Sequence, residues 1–157
     1  APILGWPAQS LARMRIANRY GLFAVMTTAR YEIEFQGSND GEHWTAYPFR
    51  FKPQALDEAP GIYAPYQPRF EWNLWFASLS SCEEQDWVLV AEARLAKGEP
   101  DVVRLFRDDP FHGRPPREVR TVMYQYWMTD LATKRRTGDW WRRDEIAPYC
   151  ASVRRDD

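Results

Sequence analysis

Apolar residues in this chain change their period partway along it, and the change constrains the fold class more than any other feature. Over residues 31–51 they alternate: Tyr31, Ile33 and Phe35 interleave with Glu32, Glu34 and Gln36, and Tyr47, Phe49 and Phe51 follow beyond GSNDG. Alternation places every second side chain on one face of an extended chain. Gly37 and Gly41 can take positive φ, while Asn39 and Asp40 favour tight turns through local hydrogen bonds, so the segment reads as a β-hairpin with a loop longer than two residues. Trp44 is expected to pack just beyond that turn. After the Pro-rich connection over residues 53–68 the spacing lengthens, and Trp72, Trp75, Phe76 and Leu79 fall at i, i+3, i+4 and i+7, the stripe of a helix. Phe70, Leu74 and Ala77 add a second apolar side and leave Glu71, Asn73 and Ser78 polar, which predicts a helix buried between other elements.

Two further helices follow. Ser81 and Glu84 have capping-box spacing, Trp87, Val88, Ala91 and Leu95 form the next apolar stripe, and Gly98 supplies a left-handed stop. Pro100 suits the first turn of a short third helix carrying Val102, Val103, Leu105 and Phe106, which Pro110 ends. The chain then returns to strand over residues 119–129, with Val122, Tyr124, Tyr126 and Met128 on one side and a mixed other side, which predicts a central strand. Trp140 and Trp141 begin a last short strand, and RIANRYGLFAVM at residues 15–26 an early one that Gly21 would weaken or bulge. Strands, then helices, then strands imply an α+β fold: an antiparallel sheet of about 4–6 strands, open or closed into a small sandwich, with three inserted helices on one face. At 157 residues, 45% hydrophobic, the chain reads as a single domain spanning 1–157.

Composition narrows the function. Twenty-one basic residues nearly balance 22 acidic ones without a long single-signed tract, so nothing points to nucleic acid; Lys134 to Arg136 and Arg142 with Arg143 read as solvated edges. No apolar run approaches the roughly 18 to 20 residues that span a bilayer. A start without methionine fits a processed or excised chain, so the lack of a span here leaves the parent protein open. The motifs GxSxG, HExxH, GxxxxGK[ST] and GxGxxG are absent, and the reading is of a protein that is not an enzyme and holds no cofactor or metal. His43 beside Asp40 could in principle act as a general base, but a turn histidine is more often a surface hydrogen-bonding residue, and His112 in DDPFHGRPP reads as loop.

Cys82 and Cys150 form no CxxC pair and have no metal-ligand spacing with the histidines; two buried free thiols is the simpler reading. A disulfide is the alternative in an oxidising compartment if their Cα atoms approach within about 7 Å. Trp140 and Trp141 followed by Arg142 and Arg143 form either an anchor patch of residue types enriched in binding hot spots or core rings flanked by edge charges. On a strand the two rings must point to opposite faces, one buried and one partly available.

In order along the chain, NRYGLFAVM, EFQGSNDGEHW, YAPYQPRFEWNLWFASL, PFHGRPPREVR, YQYWMT and DWWRR resemble the carboxyl-terminal, membrane-external domain of the lipase maturation factor family, across about four-fifths of the chain. The resemblance implies the carboxyl-terminal soluble domain of a larger multi-pass membrane protein, on the extracytoplasmic side: the endoplasmic reticulum lumen in animals, the periplasmic face in bacteria. It also implies a client-binding, chaperone-like role in the maturation of secreted lipases, without turnover chemistry. Asn18, Asn39 and Asn73 all fail the N-x-[ST] pattern, which with an Arg-rich, Lys-poor composition favours a bacterial member. A client surface would draw on the Pro65–Trp75 and Trp140–Arg143 segments, with Tyr66, Arg69, Trp72, Trp75, Trp140, Trp141, Arg142 and Arg143 as candidates. A second resemblance, of GSNDGEHWTAY to the hairpin of discoidin-type sandwiches, covers about a dozen residues and keeps a non-catalytic glycan- or lipid-binding module as the alternative; that reading needs an exposed loop Trp.

Overall fold

The computed structural model describes residues 28–61 and 68–155. Among them, β1 (Arg30–Ser38), β2 (Thr45–Ala46), β3 (Glu118–Met128), β4 (Trp141–Pro148) and β5 (Val153–Arg154) form one antiparallel sheet. Its order is β2-β1-β3-β4, with β5 paired to the start of β3. The helices α1 (Arg69–Ala77), α2 (Asp86–Ala96) and α3 (Pro100–Val103) lie between β2 and β3, and α4 (Leu131–Thr137) lies between β3 and β4. The fold is α+β, as the two periodicities require. β3 is central, since β1 runs along one edge with Glu34 opposite Val122 while β4 and β5 share the other. The described strands make a single sheet, and the early strand expected over residues 15–26 lies outside the described residues.

One face of the sheet carries the main core. Ile33, Phe35 and Val119 pack there against Leu74 and Ala77 of α1, Val88, Ala91 and Leu95 of α2, Val102 of α3 and Phe106. Phe106 is the hub of an aromatic cluster, within 5.1–5.6 Å of the rings of Phe35, Tyr47, Phe49 and Phe70. Gly98 ends the α2 region at φ 70°, as its position predicts. Ser81, however, opens only a 3-10 turn at Cys82–Glu84 and makes no side-chain cap bond; α2 itself starts at Asp86.

Cys82 and Cys150 are joined in a disulfide with Cα atoms 5.4 Å apart, which corrects the reading of two free thiols. Their burial was foreseen in part, since Cys150 is 4% exposed. The pairing follows from tertiary structure, which seats the turn before α2 over the end of β4.

The return strand of the hairpin is much shorter than the alternation suggests. Tyr47 and Phe49 are buried, yet β2 is two residues long and the ladder ends with the Tyr47 N–H on the Phe35 carbonyl at 2.9 Å. Pro48 has no N–H to continue the pairing. From there the backbone donates to side chains instead: Phe49 to Gln54, and Arg50, Phe51 and Lys52 to the Glu71 carboxylate. Alternation reported which rings are buried and said nothing about where the N–H groups go.

The second face of β1 is the larger surprise. Glu32, Glu34 and Gln36, the polar half of the alternation, are 2%, 3% and 7% exposed. Segment 52–58 closes over this face: the Trp140 and Trp141 N–H groups donate to the Leu56 carbonyl, and Trp141 Nε1 donates to the Glu58 carbonyl at 3.0 Å. Beneath it the charges are paired. Glu32 meets Arg30 at 2.8 Å and Lys52 at 3.0 Å, and Glu34 takes Arg143 at 2.7 Å together with the amides of Gln36 and Gln54. Buried charges are tolerated only when matched in this way.

The 110–116 loop is fixed by two glycines. A Cβ on Gly37 would lie 2.6 Å from Phe111 and 2.8 Å from Pro116, and one on Gly98 2.9 Å from Pro115. The Gly37→Ala variant should therefore unfold with about 2 kcal/mol less free energy, read from the midpoint of urea denaturation; an unchanged midpoint would mean that the loop moves aside freely. α4 was not foreseen. Its signals are visible once sought: the Asp130 side chain accepts the Thr133 N–H, and Gly138 stands left-handed at φ 87°.

Candidate functional site

The one acidic residue of α1 lies on its buried side. Glu71, 4% exposed, points inward and accepts N–H groups of Arg50 at 2.8 Å, Phe51 at 3.0 Å and Lys52 at 2.6 Å. Leu74, Ala77 and Ser78 share that side, with Ser78 Oγ donating to the Tyr31 carbonyl and the Tyr149 hydroxyl to the Ala77 carbonyl. The buried side thus runs through 71, 74, 77 and 78.

The stripe of Trp72, Phe76 and Leu79 therefore faces solvent, at 43%, 48% and 45% exposed, with Trp75 half-buried among them. This corrects the expectation of a helix buried between other elements. Apolar content placed two sides on α1, and the one that meets the sheet is the side carrying Glu71, Leu74 and Ala77. The outward rings touch one another: Trp72 to Trp75 at 5.7 Å, Trp72 to Phe76 at 5.6 Å and Trp75 to Phe76 at 5.0 Å. Contiguous exposed aromatics of this kind mark interaction surfaces more often than scattered apolar residues do. Arg69 is exposed in the first turn of the same helix, and Tyr66 lies outside the described residues.

The Trp140–Arg143 segment does not form one patch. Trp141 is buried at 4% beside Tyr126, and Arg143 is held inside by Glu34 and by the Tyr126 hydroxyl at 3.0 Å. Burial pushes the Tyr126 phenol up to about 12, with Arg143 pulling the other way. Trp140 is half-buried with the Lys134 ammonium 2.9 Å from its ring centre, while the exposed Arg142 lies 4.6 Å over Trp127. Two of the four candidates thus belong to the inner polar layer.

Other chemistry-bearing residues are engaged in turns. Asp40 accepts the Ser38 hydroxyl at 3.0 Å, the Glu42 and His43 N–H groups, and His43 Nδ1 at 2.7 Å. The backbone N–H and ring of His43 hold that carboxyl well below the usual carboxylate range. The Ser38 hydroxyl itself accepts the Asp40 and Gly41 N–H groups, so the trio braces the hairpin loop and leaves no activated nucleophile. Trp44, half-buried, has Arg120 over its ring at 4.0 Å. Among the described residues, no three or more His, Cys, Asp or Glu side chains are grouped to hold a metal, and no helix is long and apolar enough to cross a membrane. A cleft of about 310 Å³ gathers Arg117, Arg154 and Arg155, but Asp40 and Glu118 line it too and offset their charge.

Residues 16–151 match the family described as Lipase maturation factor C-terminal domain. Human lipase maturation factor 2 is 37% identical over 150 residues, covering 92% of this chain and 21% of that protein. The Xenopus laevis lipase maturation factor 2 is 35% identical over 164 residues, 97% of this chain and 23% of its own. Mouse lipase maturation factor 1 is 34% identical over 152 residues, 92% of this chain and 26% of its own. The chain spans between a fifth and about a quarter of the length of these relatives. No solved structure matches it.

Proposed function

We propose, for a chain that belongs to the lipase maturation factor family, a role as the client-binding domain of a larger membrane protein that assists the maturation of secreted lipases. The observation that carries this reading is the outward aromatic face of α1, where the exposed Trp72 and Phe76 and the half-buried Trp75 contact one another while Glu71 faces inward. A folding helper must hold partly apolar clients reversibly, and a rigid aromatic surface beside a charge does this at low cost in side-chain entropy. Arg69 supplies the neighbouring charge. The domain contributes binding and no turnover chemistry. Its place is the extracytoplasmic side of a membrane, which the Cys82–Cys150 disulfide supports, since such bonds persist in oxidising compartments.

A glycan-binding role is supported less well, because Trp44 at the hairpin has Arg120 on its ring instead of an open face. The test is a triple substitution, Trp72→Ser, Trp75→Ser and Phe76→Ser, in the full-length parent protein co-expressed with a secreted lipase. Active lipase should fall several-fold at unchanged lipase transcript, while Arg142→Ala leaves it unchanged. Substitutions at the exposed Trp72 and Phe76 should move stability little and that at the half-buried Trp75 somewhat more, so thermal unfolding of the variant is followed beside that of the parent. Unchanged lipase activity in a stable triple variant would remove α1 as the client surface.

A further inference from the structure

Glu92 lies in the middle of α2 with no exposed surface, and among the described residues neither of its carboxylate oxygens has a hydrogen-bond partner. α2 packs on β3 and β5 and is flanked by α3 and the Cys82–Glu84 turn. No charge from these elements compensates it. β3 offers the neutral Thr121, whose hydroxyl accepts the Cys150 N–H at 3.2 Å and keeps a proton of its own to donate, but brings no charge and forms no bond to Glu92. On β5, Arg154 is taken up by Glu118, and on α2 itself Arg94 is paired with Glu99 at 3.7 Å. On α3, Asp101 is paired with Arg104; Glu83 and Glu84 of the turn are exposed, and the Tyr149 hydroxyl donates to the Ala77 carbonyl.

We propose that Glu92 is a proton-operated latch on the seam between α2 and the sheet: the neutral acid remains in the dry seam, and the carboxylate, with no cation paired to it there, opens it to water. Burial of an unmatched carboxylate opposes its charge. Burial pushes the Glu92 carboxyl up to about 7 from an ordinary 4.5, and Thr121 offsets this only in part, without a formed hydrogen bond. The sign follows. Between those two values the closed seam holds a proton that the opened one has lost, so the seam is tightest below the lower value and loosens as pH rises, levelling off above the higher one. The latch stands whether or not α1 holds a client.

The test is amide hydrogen exchange of this chain at pH 5 and pH 8, corrected for intrinsic rates, beside a carboxyl NMR titration of Glu92. Exchange resolves local opening from global unfolding. The opening constant of the α2 amides should rise roughly 70-fold between the two pH values by linkage, and the titration midpoint should lie near neutrality. In Glu92→Gln, and in Glu92→Leu should the amide fail to fold, that rise should vanish. A Glu92 midpoint in the ordinary carboxylate range, a flat α2 response, the same response in the variants, or β1 and β3 amides opening in step with α2 would each overturn the latch.

Discussion

Replacing Cys82 and Cys150 with alanine should lower the unfolding free energy by about 4 kcal/mol, the loop-closure term for a bridge of this span. The two residues are 68 apart, and the closed loop contains α2, α3, β3, α4 and β4, so the bond restrains almost half of the unfolded chain. It also ties the helical layer to the sheet at a buried point, where the Cys150 N–H donates to Thr121. Alanine is the appropriate replacement because a serine hydroxyl at the buried position 150 would add an unsatisfied group of its own. For a domain of this size the melting temperature should fall by about 10 °C or more. Urea unfolding of the variant and of the parent, in parallel, reads the difference. A loss below about 1 kcal/mol would mean that the unfolded chain keeps the two ends close without the bond.

What could be read from the sequence divides along a physical line. Period-two and period-3.6 patterns report how side chains recur, so β1, β3 and α2 were legible, as was the central place of β3. Patterns do not report backbone donors. Pro48 and the carboxylates of Glu71 and Asp40 decided where the N–H groups near the hairpin went, and β2 shrank to two residues as a result. Polarity at β1 is uninformative for a related reason. Glu32 and Glu34 look solvated in one dimension, yet their partners Lys52, Gln54 and Arg143 are 20 to 109 residues away. The candidate surface was legible in half. Aromatic spacing singled out Trp72 and Trp75, but which side of α1 is open depends on the tertiary contacts of Glu71, Leu74 and Ala77, while Trp141 and Arg143 were drawn into the inner layer by contacts that sequence proximity to Trp140 and Arg142 concealed.

Glu71 is consequently the residue whose loss should propagate furthest. Its carboxylate accepts N–H groups of three consecutive residues, at 2.8 Å from Arg50, 3.0 Å from Phe51 and 2.6 Å from Lys52. Those donors sit where the chain has left the β-ladder, so no carbonyl stands ready to replace the carboxylate. Hydrogen bonds to a charged acceptor are worth about 1.5–3 kcal/mol each, and donors stranded in a part-buried site carry a penalty of similar size. Glu71→Ala should therefore cost about 3 to 5 kcal/mol. Glu71→Gln should cost less, because its carbonyl oxygen keeps some of the bonds while its amide group faces the remaining donor. The same substitution separates two explanations of α1. If the carboxylate sets the helix rotation, Glu71→Ala will red-shift tryptophan emission as Trp75 loses its half-buried position, and active lipase will fall although no exposed ring has been altered. If stability drops while the emission and lipase yield hold, packing of Leu74 and Ala77 on the sheet is what aims the aromatic face, and Glu71 serves only to close the turn beneath it.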